Sequence, residues 1–150
     1  MSNSYLSKVQ AKALVVVDKD GDKKLARKEK LEKFLGERLI VLPAREMENI
    51  LPYKVIKEVI FEYEKNPDLE LSDEDYSSYQ DKYLGAFIEE QMFKGKPISR
   101  RGGYKADSGT IKSKPDFCEK ALPKIYYQDL PDTTKEVIQK IYEFVRSQNL

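Results

Sequence analysis

The sequence predicts an α/β fold built on a small parallel sheet with helices around it. Residues 14–17 form a short apolar run rich in β-branched side chains, which is typical of a strand buried on both faces. Residues 38–42 contain a second apolar run, ended by Pro43. Residues 24–35 between them carry apolar side chains at helical spacing, and Gly36 is a natural helix stop. A strand, a helix and a strand within about 30 residues indicate a βαβ unit with parallel strands and a right-handed connection.

The rest of the chain is predicted to be mainly helical. Apolar side chains recur at helical spacing in three further segments, residues 55–63, 83–93 and 131–150. The acidic stretch at residues 68–81 is predicted to be a loop that leads into a helix. Residues 94–114 hold four of the seven glycines and are predicted to form a long mobile loop.

The length of 150 residues suits one domain with a moderate core. We therefore predict a single domain over residues 1–150, with a βαβ core at about 13–52 and a helical and basic-loop region at about 53–150. No apolar run approaches the roughly 18 residues that a membrane helix needs, and the first residues lack the pattern of a secretory signal. We expect a cytoplasmic protein that does not bind membranes.

Two residue counts restrict the chemistry. The chain has no histidine, which excludes histidine-based acid–base catalysis, histidine-containing triads and most zinc sites. Cys118 is the only cysteine, so the chain forms no internal disulfide and no thiolate metal cluster. With no base suggested nearby, Cys118 is predicted to be a packing residue. Any catalysis must then rest on carboxylates, lysines, arginines, hydroxyls and hard metal ions.

The stretch DKDGDKKLARKE, residues 18–29, allows two interpretations. Its acids match positions 1, 3, 5 and 12 of a calcium-binding EF-hand loop, but Lys23 stands where that loop needs glycine. An EF-hand also needs a helix before the loop, whereas residues 14–17 favour a strand. An EF-hand is therefore our third choice for the function of this chain.

The strand interpretation makes the same acids the start of a catalytic metal site. Asp18 and Asp20 would follow the first strand directly, at the edge of the sheet where ligands of open α/β sheets bind. Clustered carboxylates there would repel one another unless a divalent cation neutralised them. The alternative is a solvated acidic turn that caps the next helix.

A second polar group follows the second predicted strand, in the sequence LPAREMENILP. If the strands are parallel neighbours, this segment lies at the same edge of the sheet, where Glu46 or Glu48 could complete a metal shell. Arg45 could pair with a carboxylate or contact a phosphate. The alternative is that the two glutamates simply begin a helix, where acidic side chains suit the helix dipole.

The combination VVVDKDGD, LPAREMENILP and SGTIKSKPDF resembles the TOPRIM-like nuclease region of OLD-family proteins and related ATPase-linked bacterial defence proteins. The resemblance covers roughly residues 14–121, and its most specific part is the run from Arg45 to Leu51. It implies a TOPRIM-like, Rossmann-like sheet and a centre that cleaves phosphodiesters with Mg²⁺ or Mn²⁺. It also implies an ABC-type ATPase, fused or bound, and a role in anti-phage defence.

The resemblance also implies roles for individual residues. It places the metal on Asp18, Asp20 and Glu48, and it makes Glu46 a further acidic group of the catalytic centre. Lysines stabilise the charge on the cleaved phosphate in such a centre. The implied catalytic residues are Asp18, Asp20, Glu46, Glu48, Lys112 and Lys114.

The chain departs from the family pattern in two respects. TOPRIM centres normally begin with a glutamate after an earlier strand, and residues 1–13 contain no acidic residue. The chain also lacks a P-loop motif, so the ATPase would lie in another part of the protein or in another subunit. We expect the chain to be a fragment of a larger protein or one subunit of a complex.

The segment from Phe93 to Lys114 is the basic part of the chain. It carries seven basic residues and one acidic residue, a net charge of +6, while the whole chain has a net charge of +1. Such a segment could bind a nucleic-acid backbone, or it could be a solvated surface loop. The predicted nucleic-acid contacts are Arg45, Arg100, Arg101, Lys105, Lys112 and Lys114.

Together these features predict a divalent-metal-dependent nuclease domain linked to an ATPase. The alternative is a binding or regulatory module with the same fold and an incomplete metal shell. The partners we expect are DNA or RNA, an ATPase domain or subunit outside this chain, and a second copy of the chain in a homo-oligomer.

Overall fold

The structure is a computed structural model that describes residues 13–19 and 25–148. Its strands are β1 (Val15–Val17) and β2 (Leu39–Val41). Its helices are α1 (Leu25–Leu35), α2 (Tyr53–Glu64), α3 (Tyr76–Tyr79), α4 (Leu84–Phe87), α5 (Lys114–Ala121) and α6 (Asp132–Gln148). Short 3₁₀ turns cover Gly36–Arg38, Met47–Ile50, Leu122–Lys124 and Tyr127–Asp129, and a π-helical turn, Ile88–Met92, extends α4. None of the described helices is long and apolar enough to cross a membrane.

The predicted order of strand, helix and parallel strand is confirmed, but β1 is half-buried along its whole length rather than buried on both faces. β1 and β2 are parallel, with Val16 opposite Ile40, and α1 lies between them in the sequence. Helix α1 ends at Leu35, and Gly36 follows with a φ of 55°, a conformation that glycine adopts without a steric penalty. The fold class is therefore α/β, although most of the regular structure among the described residues is helical.

The chain forms two compact units. The first unit comprises the described residues within 1–43 and 132–150, and the second comprises residues 44–131. The βαβ strands and α6 belong to the first unit, whereas the sequence predicted that the core would continue to about residue 52. That all of residues 1–150 act as one domain stays a prediction.

Helix α6 buries less of its apolar face than its sequence predicts. Its buried residues are Thr134 and Val137. Ile138 and Val145 belong to the predicted apolar face, yet they are 38% and 52% exposed. Periodicity correctly indicated a helix here, but it overstated how much of that face is covered by the described residues.

The core of the second unit forms around α2. Val55, Ile56, Val59 and Ile60 are fully buried on one face of this helix, as the helical spacing predicted. Helix α2 ends at Glu64, where Lys65 adopts the left-handed conformation just before the predicted Asn66-Pro67 stop. Helices α4 and α5 supply further members of the same core, among them Leu84, Phe87, Phe117 and Ala121.

The basic segment, residues 93–114, is anchored to this core. It contains no helix or strand between residues 94 and 113 except a single bridge between Lys105 and Ile111. Tyr104 and Ile111 are buried, and Glu89 Oε1 accepts hydrogen bonds from the backbone N–H groups of Tyr104 and Lys105 at 2.9 and 3.2 Å. The predicted loop therefore lacks regular structure, but it is held by buried side chains and hydrogen bonds.

Gly85 at the start of α4 lies directly against this segment. A Cβ atom at Gly85 would lie 2.7 Å from the carbonyl oxygen of Tyr104 and closer still to that of Thr110. Since both contacts are with backbone atoms, a larger residue could be accommodated only by moving the chain.

Candidate functional site

The segment after β2 carries two buried glutamates. Glu46 has extended backbone angles, φ −139° and ψ 168°, and the 3₁₀ turn starts at the next residue. Glu46 and Glu48 are each 8% exposed, whereas Met47 between them is 48% exposed. Glu46 is the N-cap of this turn and Glu48 lies within it, so the two glutamates do begin a short 3₁₀ helix, but both side chains are buried in the second unit rather than exposed on the surface.

Both glutamates contact the same ammonium group. Lys114 Nζ lies 3.3 Å from Glu46 Oε2 and 3.6 Å from Glu48 Oε2. The two Oε2 atoms are shielded from solvent, while the Lys114 side chain is 40% exposed. We call these three residues the Glu–Glu–Lys cluster. It joins the segment after β2 to the start of α5.

The position of Lys114 follows from the way α5 begins. Ser113 adopts the left-handed conformation before the helix, and Pro115 in the first turn has no N–H group that would need a partner there. Phe117 and Ala121 anchor the helix in the core. Lys114 is consequently held at the first position of a fixed helix, next to the glutamates.

Electrostatics favour the charged form of Lys114. Burial acts to lower its pKa, but the carboxylates of Glu48 and Glu46 outweigh burial, so that its pKa is raised above the ordinary value. At neutral pH the cluster therefore contains an ammonium ion.

Cys118 lies one helical turn after Lys114 and is partly buried. Burial raises the pKa of its thiol, and the carboxylate of Glu48 raises it further. A thiol with a raised pKa is a poor nucleophile, which agrees with the prediction of a packing role.

The turn at residues 79–83 is held by the same segment that carries the glutamates. Asn49 is fully buried, and its Nδ2 donates hydrogen bonds of 2.7 Å to the carbonyl oxygens of Tyr79 and Lys82. Arg45 Nε donates to the carbonyl oxygen of Asp81 at 2.9 Å. The REMEN sequence thus has two functions in the structure, because its first and last residues fix this turn while its two glutamates form the cluster.

The structure describes only part of the predicted site at the end of β1. Asp18 follows β1 directly and is partly buried, whereas Asp20 lies outside the described residues. Because residues 15–17 form a strand, the entering helix that an EF-hand requires is absent from this position. Within residues 13–19 and 25–148, no group of three or more acidic, cysteine or histidine side chains is arranged to hold a metal ion.

The basic residues predicted to contact nucleic acid differ in their partners and in their exposure. Lys112 Nζ donates to the carbonyl oxygen of Gly102 at 3.2 Å, and Lys105 pairs with Glu90 at 3.6 Å. Lys114 is the member of this set that contacts Glu46 and Glu48. Arg101 is exposed.

Arg100 is a packing residue in this structure. Its guanidinium carbon lies 3.9 Å from the ring centroid of Tyr63 and 5.0 Å from that of Tyr104. Its Nη2 donates to the carbonyl oxygen of Lys112 at 3.2 Å. Arg100 therefore belongs to a cation–π arrangement that stabilises the basic segment. No periodic pattern predicts this contact, because Tyr63 is distant in the sequence and the segment that carries Arg100 and Tyr104 has no regular structure.

Tyr83 is a further residue that the sequence did not single out. Arg45 stacks on its ring, with 4.2 Å between the guanidinium carbon and the ring centroid, and the residue remains 45% exposed. The only sequence signal was the abundance of tyrosine, with ten in 150 residues.

Comparisons with protein-family models, with curated proteins and with solved structures found no match to this chain. The resemblance to the TOPRIM-like nucleases of the OLD family therefore stays a prediction from the motifs themselves.

Proposed function

We propose that this chain is a divalent-metal-dependent nuclease domain that hydrolyses phosphodiester bonds in nucleic acids. The observation that carries the proposal is the pair of buried carboxylates, Glu46 and Glu48, which share one cationic partner. Nucleases that use metal ions need such paired carboxylates, and they need no histidine. The position of the pair a few residues beyond the carboxyl end of a parallel strand adds support.

The chemistry of the donor atoms fits Mg²⁺ or Mn²⁺. Glutamate oxygens are the ligands that these hard cations prefer, and the two Oε2 atoms are already oriented toward one positive charge. Asn49 Oδ1 on the same segment is buried and has no hydrogen-bond donor among the described residues. The proposal assigns the metal to Glu48 and Glu46. That Asp18 and Asp20 are metal ligands stays a prediction from the family resemblance.

The chain's own residues have distinct tasks in this proposal. A bound divalent ion would supply Lewis-acid activation of water and of the leaving oxygen. Glu46 and Glu48 hold fixed negative charge in a site with little access to solvent. Lys114 balances one of these two negative charges in the free protein, and its flexible, partly exposed side chain can turn toward the phosphate of a bound substrate. There an ammonium group stabilises the negative charge that develops during cleavage.

The proposal also includes a partner protein and a biological role for the domain. By its resemblance to the OLD family, the domain would act with an ABC-type ATPase that is not part of this chain, in defence against phage. A cytoplasmic location follows from that setting.

The second candidate function is a binding or regulatory module without catalysis. The observation in its favour is that Lys114 already contacts both glutamates, as in a structural ion triad. In that case the cluster would serve only to fix α5 to the segment after β2.

The experiment that tests the proposal is a nicking assay on supercoiled plasmid with Mg²⁺, with Mn²⁺ or with EDTA, run with and without the ATPase that accompanies the chain. We expect cleavage that needs the metal and falls at least about 100-fold in Glu48→Gln and in Asp18→Ala. Glu58→Gln, a neutralisation on α2, is the matched control and should cleave like the wild type. Cleavage that persists in EDTA, or that is equal in all variants, would contradict the proposal; no cleavage in any condition would favour the regulatory module.

A further inference from the structure

We infer that Arg45 and Tyr83 form a platform for an unpaired nucleotide, so that the substrate is single-stranded nucleic acid or a frayed end. This inference deepens the proposed function and rests on it. It concerns whether the site accepts single-stranded or duplex nucleic acid. The metal ligands and the basic segment do not directly determine this preference.

The first argument is that Arg45 is fixed in place. Its backbone N–H donates to the carbonyl oxygen of Gln80 at 2.8 Å, and its Nε donates to that of Asp81 at 2.9 Å. Its guanidinium carbon lies over the Tyr83 ring, 4.2 Å from the ring centroid. An arginine held at three points has already lost most of its rotamer freedom, so it can bind a ligand at low entropic cost.

The second argument is that the outer part of the same guanidinium is available. Nη1 and Nη2 of Arg45 make no hydrogen bond to any of the described residues, and neither is among the buried polar atoms that lack a partner. Together they present the forked set of donors that matches two phosphate oxygens. An arginine whose Nε atom is anchored and whose Nη atoms are exposed has the arrangement expected for binding phosphate.

The third argument is that an aromatic surface lies beside this fork. Tyr83 is 45% exposed, and its inner part is packed closely on Gly109, where an added Cβ would lie 3.2 Å from the tyrosine Cβ and Cγ atoms. The ring is therefore held by Gly109 and covered in part by the Arg45 guanidinium, while the remaining exposed surface of Tyr83 and the arginine plane beside it are accessible. Stacking on tyrosine or on an arginine plane requires an unpaired base, because bases within a duplex already stack on each other.

The fourth argument is proximity along a fixed segment. Arg45 precedes Glu46 directly, and Asn49 clamps the far side of the turn that carries Tyr83. The platform and the buried carboxylates consequently share one short, well-anchored piece of chain.

The test measures binding in EDTA, so that it is independent of cleavage. Fluorescence anisotropy with labelled oligo(dT), oligo(rU) and a DNA duplex of the same length should show tighter binding of the single strands. Tyr83→Leu should weaken single-strand binding by about 5- to 150-fold, the range for one stacked base, while Tyr83→Phe keeps the ring and the affinity. Tyr127→Leu, a change at another exposed tyrosine, should have no effect.

Arg45 is tested by its salt dependence. Arg45→Gln should lower the slope of log K against log salt by about 0.7 for one lost phosphate contact, whereas Arg45→Lys keeps the charge and most of the slope but loses affinity. Arg146→Lys on α6 is the matched control. Thermal melting of each variant establishes that it is folded before its binding is compared.

Equal affinity for duplex and single strand in the wild type would overturn the inference, and so would unchanged binding in Tyr83→Leu. These outcomes need no variant to be active. If binding follows the expectation but no metal-dependent cleavage occurs, the proposed function fails while the single-strand platform stands.

Discussion

Replacing Lys114 by methionine tests the physical basis of the Glu–Glu–Lys cluster. The change removes the ammonium group and keeps an unbranched side chain of similar length, so packing at the start of α5 is largely preserved. It leaves Glu46 and Glu48, both 8% exposed, without their shared cation. A buried carboxylate that loses a cationic partner is destabilising, because water does not fully replace the lost contact.

The magnitude follows from the distances. At 3.3 and 3.6 Å and an effective dielectric constant of about 20, each ammonium–carboxylate attraction is worth about 5 kcal/mol before desolvation. Lys114 is 40% exposed, so water screens both contacts, and the net loss should be about 1–3 kcal/mol. For a chain of 150 residues that corresponds to a fall in melting temperature of about 3–10 °C.

The pH dependence provides an independent check. The pKa of Lys114 is raised in the folded state by the carboxylates of Glu48 and Glu46, which outweigh the lowering effect of burial. The stability it contributes is therefore fully present below the ordinary lysine pKa of about 10.4 and is lost as pH rises through the higher folded-state value. The difference between wild type and Lys114→Met should be constant near neutral pH and shrink at strongly alkaline pH.

The assay is chemical unfolding of both proteins in EDTA, at neutral and at alkaline pH. Adding Glu46→Gln and Glu48→Gln to the Lys114→Met background should recover stability, since the uncompensated charges are then gone. Equal stability of wild type and Lys114→Met would refute the reasoning, and so would a difference that does not shrink at alkaline pH.

Three further predictions concern the scaffold around the site. Asn49→Ala removes two buried hydrogen bonds to the turn at residues 79–82 and should lower the free energy of unfolding by about 2–4 kcal/mol, measured by urea unfolding; a loss below 0.5 kcal/mol would contradict this role. Gly85→Ala forces a Cβ into backbone atoms and should cost at least about 1–3 kcal/mol, with broadened thermal unfolding as the readout. Arg100→Glu should destabilise the fold by about 1–3 kcal/mol through its lost ring contacts, whereas Arg101→Glu should leave stability unchanged and lower the salt slope of nucleic-acid binding. The reverse pattern for the two arginines would show that packing and binding have been assigned to the wrong residues.

Local patterns predicted the elements well. The β-branched run at residues 14–17 and the glycine at position 36 were sufficient to place β1 and the end of α1, because β-branched side chains favour strands and left-handed backbone favours glycine; the predicted burial of β1 on both faces was wrong, since Val15–Val17 are only half-buried. The spacing of apolar residues in α2 likewise identified its buried face. These features depend on residues only a few positions apart, so they can be recognised directly in the sequence.

The candidate site was predictable only in part. The sequence marked Glu46, Glu48 and Lys114 as candidate members of a site, but not that a single ammonium group contacts both carboxylates, since these contacts join residues 66 and 68 positions apart. It also grouped Arg100 with solvent-facing arginines, although stacking on Tyr63 and Tyr104 makes it a packing residue. The charge of a side chain is known from the sequence, whereas its contact partner from a distant part of the chain is known only from the folded structure.

Titration with Mn²⁺, followed by electron paramagnetic resonance, tests the central claim most directly, that the buried carboxylates hold a divalent cation. Free Mn²⁺ gives a strong signal that diminishes on binding, so the number of sites and the dissociation constant are obtained together. The account predicts binding by the wild type, tighter binding by Lys114→Met because the competing ammonium is gone, and loss of that site in the Glu46→Gln, Glu48→Gln double variant. Equal Mn²⁺ binding by the wild type and the double variant, or no binding by Lys114→Met, would contradict it.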